Sequence, residues 1–210
     1  MNTGTGPLDG VRLVLITDRH RTRLPLTEVV ARALDGGLPA VIVRERDLAD
    51  PPFADLARSI ASLAAPHRAL TLVTNRLEVA ATNELAGLHL GVGGPTAAEA
   101  RRRLGQAALI GLSVHSPSEV DARRLAGVDY LSAAPVYATG SHPGRRPLGV
   151  EALSEVCRRA ERPVFALGGI RADRIGSCLG AGAHGVAVIG AIAATTDPRA
   201  STESLLKELG

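Results

Sequence analysis

The 210-residue chain reads as a compact single-domain TIM (β/α)8 barrel. Three observations predict it. Eight short apolar, β-branched runs recur about every 25 residues. Most are continuous rather than alternating, as strands covered on both faces should be. Between them lie amphipathic stretches of helix length, and alternation of the two kinds is the mark of a parallel α/β fold. A doubly wound open sheet is the competing architecture. It usually carries a glycine-rich turn after its first strand, and here that place reads ITDRHRTR.

In order, the strand runs are VRLVLIT from Val11, AVIVRE from Ala40, ALTLVT from Ala69 and GLHLG from Gly87. ALIGLS from Ala108, VDYLSAA from Val128, PVFALGG from Pro163 and GVAVIG from Gly185 follow. The helices between them include TEVVARALDGG, PPFADLARSIASLA, RLEVAATNELA, TAAEARRRL, SPSEVDARRLA and VEALSEVCRRA, and a last one runs over 197–209. Asp50-Pro51, Thr96, Ser116-Pro117 and Asp173 supply N-cap chemistry. Gly36, Gly87, Gly105, Gly127 and Gly182 stand where helix ends or turns need glycine. Residues 1–10 read as a disordered or extended segment, and residues 11–210 as the barrel.

Composition narrows the function. Hydrophobic residues make up 45% of the chain and aromatics 2%, so the core must rest on Ala, Val, Leu and Ile. Net charge is +3, carried almost wholly by arginine, since Lys207 is the one lysine. The arginines are spread along the chain without interleaved aromatics, which argues against a nucleic-acid surface. No apolar run has transmembrane length, and the N-terminus lacks the pattern of a signal peptide. Cys157 and Cys178 have no CxxC spacing and read as reduced thiols of a cytoplasmic protein.

In such a barrel the chemistry collects at the C-terminal strand ends. These offer Thr17 and Asp18; Arg44, Glu45 and Arg46; Thr74, Asn75 and Arg76; His89; Ser113 and His115. Gly168 and Gly169 after strand 7, with Val188, Ile189 and Gly190 at strand 8, read as a phosphate site rather than as tight turns alone, because glycine lets backbone N–H groups close on an anion. Alternation puts Arg44 and Arg46 on one side and Glu45 on the other. Two guanidinium groups there suit a carboxylate or phosphate. His115 and His142 are the acid/base candidates. His89 reads as a packed, hydrogen-bonded core histidine. No metal-ligand spacing is evident. The loop in SAAPVYATGSHPGRRPLG, from Ser132, is long for a compact barrel and reads as an active-site lid.

The order LITD, VRER, VTNRLEVA, GLHLG, IGLSVHSPSE, DYLSAAPVYATGSHPG, PVFALGGI, AGAHGVAVIGAI resembles the thiamine phosphate synthase / TenI superfamily over nearly the whole chain. The resemblance implies a (β/α)8 barrel acting on phosphorylated thiazole and pyrimidine units in thiamine (vitamin B1) biosynthesis, and a homodimer. The synthase branch joins hydroxymethylpyrimidine diphosphate to thiazole phosphate with magnesium. It carries Gln-x-Arg-x-Lys after strand 2, where this chain has Ile42, Arg44 and Arg46. Its two aspartates fall at Asn75 and in the Gly91-Val92-Gly93-Gly94 turn. The TenI branch tautomerises a thiazole carboxylate phosphate without metal. Its catalytic histidine falls at Pro135 here, which leaves His142 or His115 for that role.

The resulting expectation is a TenI-like thiazole tautomerase, an isomerase without a cofactor, acting on a small phosphorylated thiazole. Arg44, Arg46, Asn75, Ser113, Thr139 and Ser141 would contact substrate. The alternatives are a divergent thiamine phosphate synthase, which would bring magnesium with it, and a non-catalytic barrel that binds thiazole phosphate.

Overall fold

The computed structural model describes residues 8–83, 85–122, 125–140, 144 and 146–210. Eight parallel strands close into a barrel in chain order. They are β1 (Leu13–Ile16), β2 (Ala40–Val43), β3 (Leu70–Thr74), β4 (Gly87–Leu90), β5 (Leu109–Val114), β6 (Tyr130–Ala133), β7 (Val164–Leu167) and β8 (Gly185–Val188). The ring is completed by β1 pairing with β8, Val14 opposite Ala187.

Each strand is followed by helix, as the apolar periodicity requires. These are α1 (Leu26–Asp35), α2 (Asp50–Ala64), α3 (Leu77–Thr82), α4 (Ala97–Leu104), α5 (Pro117–Ala122), α6 (Gly149–Ala160), α7 (Ala172–Gly180), α8 (Gly190–Ala193) and α9 (Pro198–Leu209). Thr96 caps α4 with a full capping box: its hydroxyl accepts from Glu99 N–H and the Glu99 carboxylate accepts from Thr96 N–H. Asp197 caps α9 by accepting from Ala200 N–H at 3.1 Å.

Three local expectations are corrected. Asp50 lies inside the first turn of α2, whose cap is Ala49. Asp173 likewise lies inside α7, capped by Arg171, and its carboxylate pairs with the Arg171 guanidinium. Gly87 ends no helix; it opens β4, and a Cβ there would fall 1.9 Å from the Leu109 carbonyl oxygen. The glycine lets two strands pass rather than letting a chain turn.

Alternation splits the core into two layers. Val14, Ile16, Ile42, Leu72, Leu109 and Ala187 face the barrel interior, while Leu13, Leu15, Val41, Val43 and Val73 pack under the helices. Leu8 and Val11 belong to the interior layer, and residues 8–10 form a turn. Few as they are, the aromatics matter inside. His89, Tyr130, Phe165 and His184 form a ladder of ring contacts with centroids 5.4–5.6 Å apart. Among the described residues, no helix is long and apolar enough to cross a membrane.

Candidate active site

Three adjoining cavities open at the C-terminal strand ends. The first, about 420 Å³, lies over β7 and β8 and is lined by Arg21, Thr139, Gly168, Gly169, Ile170, Val188, Ile189 and Gly190 among others. A second, about 450 Å³, lies over β2 and β3 between Arg44, Arg46, Thr74, Asn75 and Arg76. A central one of about 300 Å³ shares Arg44, Arg46 and Thr74 with the second and Leu167 and Ile189 with the first. His89, Ser113 and His115 complete its lining. The mouth is therefore one continuous trough.

The β7/β8 end is built from backbone. Gly168 and Gly169 have φ of +97° and +66°, conformations open to glycine at little cost. A Cβ on Gly168 would meet Pro135 Cα at 2.7 Å, and one on Gly169 would meet the Ala138 carbonyl oxygen at 2.6 Å. The two glycines thus let the β7 turn nest against the start of the lid. Val136 N–H donates to Leu167 O at 2.8 Å and Tyr137 N–H to Gly168 O at 3.0 Å, stitching the two together. The N–H groups of Gly169, Ile170, Gly190 and Ala191 donate to no acceptor among the described residues. Four unspent donors around one cavity can close on an anion. Arg21, ion-paired to Asp18 at 3.3 Å and donating to the Gly140 carbonyl, ties the turn after β1 to the lid above this cavity.

At the β2 end, Glu45 borders the β2/β3 cavity on the strand face opposite Arg44 and Arg46. Buried at 3% exposure, its carboxylate accepts from Arg19 N–H at 3.2 Å and from the Arg19 guanidinium at 3.3 Å. The Arg44 N–H donates to Thr17 Oγ1 at 2.9 Å, but the Arg44 and Arg46 guanidinium groups have no hydrogen-bonded or ion-paired partner among the described residues, so both cations stay available. Burial, and then the repulsion of Arg46, lower the Arg44 pKa, which shows how far its charge is drawn out of water. Thr74 Oγ1 is buried beside them with no hydrogen-bond partner among the described residues. The sequence offered Thr74 only as one strand-end residue among many; an orphaned hydroxyl is invisible without the neighbours that fail to satisfy it.

Asn75 lines the β2/β3 cavity, and its amide is also engaged within the protein. Its Oδ1 accepts from Gly91 N–H at 2.7 Å and its Nδ2 donates to Val92 O at 3.3 Å, so the amide pins the turn after β4. A Cβ on Gly94 would fall 2.1 Å from Asn75 Oδ1. The two positions where the resemblance implies magnesium carboxylates therefore hold an occupied amide and a glycine whose missing side chain leaves space for that amide. Of the neighbouring carboxylates, Glu45 is committed to Arg19, and Asp18 to His20 N–H and Arg21. Among the described residues, no cluster of three or more His, Cys, Asp or Glu side chains could hold a metal. This donor set does not fit magnesium.

His115 sits at the central cavity. Its Nδ1 lies 2.7 Å from Ala134 O, and a carbonyl can only accept, so Nδ1 carries a proton, and in the neutral ring the lone pair is on Nε2. That makes it a competent base. His89 is buried as expected, with Nδ1 3.1 Å from the Tyr130 hydroxyl and Nε2 2.9 Å from Ser113 Oγ. Ser113 lines the central cavity, and Thr139 the β7/β8 cavity. Ser141 and His142 lie outside the described residues.

Fold and site together define a small parallel barrel whose mouth is lined by glycine turns and arginines. The chain belongs to the family described as thiamine monophosphate synthase, whose model matches residues 13–192. It is 40% identical over 196 residues to the putative thiamine-phosphate synthase of Geobacter sulfurreducens, covering 92% of each protein. It is 36% identical over 205 residues to the thiamine-phosphate synthase of Thermosynechococcus vestitus, covering 96% of this chain but 57% of that longer protein. Among solved structures, a thiamine phosphate pyrophosphorylase from Pyrococcus furiosus superposes with a TM-score of 0.85 at 31% identity, covering 95% of each chain.

Proposed function

We propose that the chain is a thiamine-biosynthetic enzyme that joins a pyrimidine diphosphate to thiazole phosphate, the reaction its relatives are named for. The single observation that carries the substrate class is the set of four unspent N–H donors over β7 and β8. They suit the thiazole phosphate, while Arg44 and Arg46 face the diphosphate across the trough. In the joining step the C–O bond to the diphosphate breaks and the diphosphate leaves with the electron pair. The thiazole nitrogen lone pair then forms the new C–N bond, and no proton need move. Arg44 and Arg46 meet the charge that develops on the leaving group. No step is assigned to magnesium, because the donor set does not fit it.

The tautomerase reading, in which a thiazole carboxylate phosphate is aromatised, is kept as a second one. It is favoured by His115, whose Nε2 lone pair stands at the central cavity. Incubation with both synthase substrates, read by thiamine phosphate formation, tests the first reading. Incubation with the thiazole carboxylate tautomer, read by its ultraviolet change, tests the second. Tautomer conversion without thiamine phosphate would reverse the order of the two.

A further inference from the structure

His89, Gly111 and Tyr130 stand in one register line across β4, β5 and β6. Gly111 carries no side chain, and a Cβ there would lie 2.2 Å from the Tyr130 ring and 2.5 Å from His89 Nδ1. The gap lets residues on two non-adjacent strands meet inside the barrel. One register step toward the mouth, Ser113 pairs with Ser132. The four polar groups form one chain, and counting its protons fixes the direction of every bond.

The Tyr130 hydroxyl is buried, and burial raises its pKa, so it keeps its proton. His89 Nδ1, at 3.1 Å, is its one hydrogen-bond partner among the described residues. A buried donor left unmade is costly, so Tyr130 donates and Nδ1 accepts. Burial and the Arg44 cation keep the imidazole neutral, so its single proton sits on Nε2. That N–H is shared between Ser113 Oγ at 2.9 Å and Ser132 Oγ at 3.2 Å, and Ser132 Oγ donates in turn to Ser113 Oγ at 3.4 Å. Ser113 Oγ thus accepts twice. Its own proton has no acceptor among the described residues and must leave toward the central cavity it lines.

We infer that Tyr130 and His89 are positioning residues that lock Ser113 as a one-way hydrogen-bond donor into the mouth, so that the central cavity selects a heteroaromatic ring presenting an unprotonated ring nitrogen. The inference deepens the proposed function, whose two substrates both carry such a nitrogen. The direction of the lock is a property of the ligand-free protein and does not depend on which reaction is run.

The test is nitrogen NMR of protein labelled with 15N-histidine, first without ligand. His89 is expected as a neutral ring protonated at Nε2, and protonation at Nδ1 overturns the inference. Tyr130→Phe keeps the ring that packs edge-on against Phe165 and removes only the hydroxyl. It should release the tautomer into a mixture and weaken ligand binding roughly five- to tenfold, the worth of one neutral hydrogen bond. Ser113→Ala should weaken binding equally without moving the tautomer, and Ser113→Thr should restore it. Hydroxymethylpyrimidine and thiazole phosphate are titrated separately into wild type. A shift of the His89 Nε2 signal by either one supports the lock and names the ring that occupies it. No shift by either, or full affinity in Tyr130→Phe and Ser113→Ala, overturns it. A correct tautomer and a responding ligand without turnover would fault the proposed reaction alone.

Discussion

Replacing Gly169 with alanine tests the anion cradle at its tightest point. At φ +66° an L-residue enters the left-handed region, which costs about 1–2 kcal/mol. The new methyl also falls 2.6 Å from the Ala138 carbonyl oxygen and 2.8 Å from Tyr137 Cβ. Both are held by the lid's bonds to the β7 turn, so relief requires backbone movement of the kind that costs about 1–3 kcal/mol in a packed region. The sum is about 2–5 kcal/mol. In a domain of this size each kcal/mol moves the melting midpoint about 2–4 °C, so a fall of about 4–20 °C is expected. Gly190→Ala is the control: its methyl meets only Ala194 Cβ, at 3.9 Å, and it should melt with the wild type. The assay is thermal unfolding followed by circular dichroism, with and without saturating thiazole phosphate. Gly169→Ala should also lose most of the ligand-induced rise in midpoint, which follows mass action on the folded state. A variant that melts within about 1 °C of wild type would refute the steric reasoning. One that is destabilised yet keeps the full ligand-induced rise would refute the cradle.

Other outcomes follow from the same geometry. His115→Asn keeps a donor for Ala134 O and removes the Nε2 base; thiamine phosphate formation should fall less than tenfold, whereas any tautomerase activity should fall about a hundredfold or more. Because Asn75 and Gly94 offer magnesium no carboxylate, the affinity of inorganic diphosphate by calorimetry should change less than twofold between EDTA and magnesium. A tenfold tightening by the metal would contradict this. Burial, then the Arg44 cation, push the His89 pKa from 6.5 down to about 4. The unfolded chain therefore binds this proton first, so the contribution is whole above pH 6.5 and is lost as pH falls toward 4. The loss amounts to about 3 kcal/mol, and His89→Gln should flatten that limb of a denaturant-unfolding series against pH.

Most of the fold was legible because each strand is a continuous apolar run and each helix repeats at its own period. Thr96 could be placed from its capping box alone. Gly87 could not, since its role depends on the Leu109 carbonyl of the next strand rather than on its own neighbours. The same holds in the site. Arg44 and Arg46 were visible from alternation, and the β7/β8 glycines from their places in the barrel. The occupation of Asn75 by the Gly91–Val92 turn was not visible, because an amide and a lost carboxylate look alike until the bonding partner is seen. His89 was correctly read as a core histidine. Its partnership with Tyr130 needed the barrel register and the missing side chain of Gly111, which join residues 41 positions apart.

The central claim is that the phosphate of a thiazole substrate sits in the backbone cradle over β7 and β8. A crystal structure with thiazole phosphate bound tests it most directly. Phosphate oxygens should lie within about 3 Å of the N–H groups of Gly169, Ile170, Gly190 and Ala191, with the ring directed toward Ser113. A phosphate seated instead between Arg44 and Arg46, with those four donors facing solvent, would contradict it.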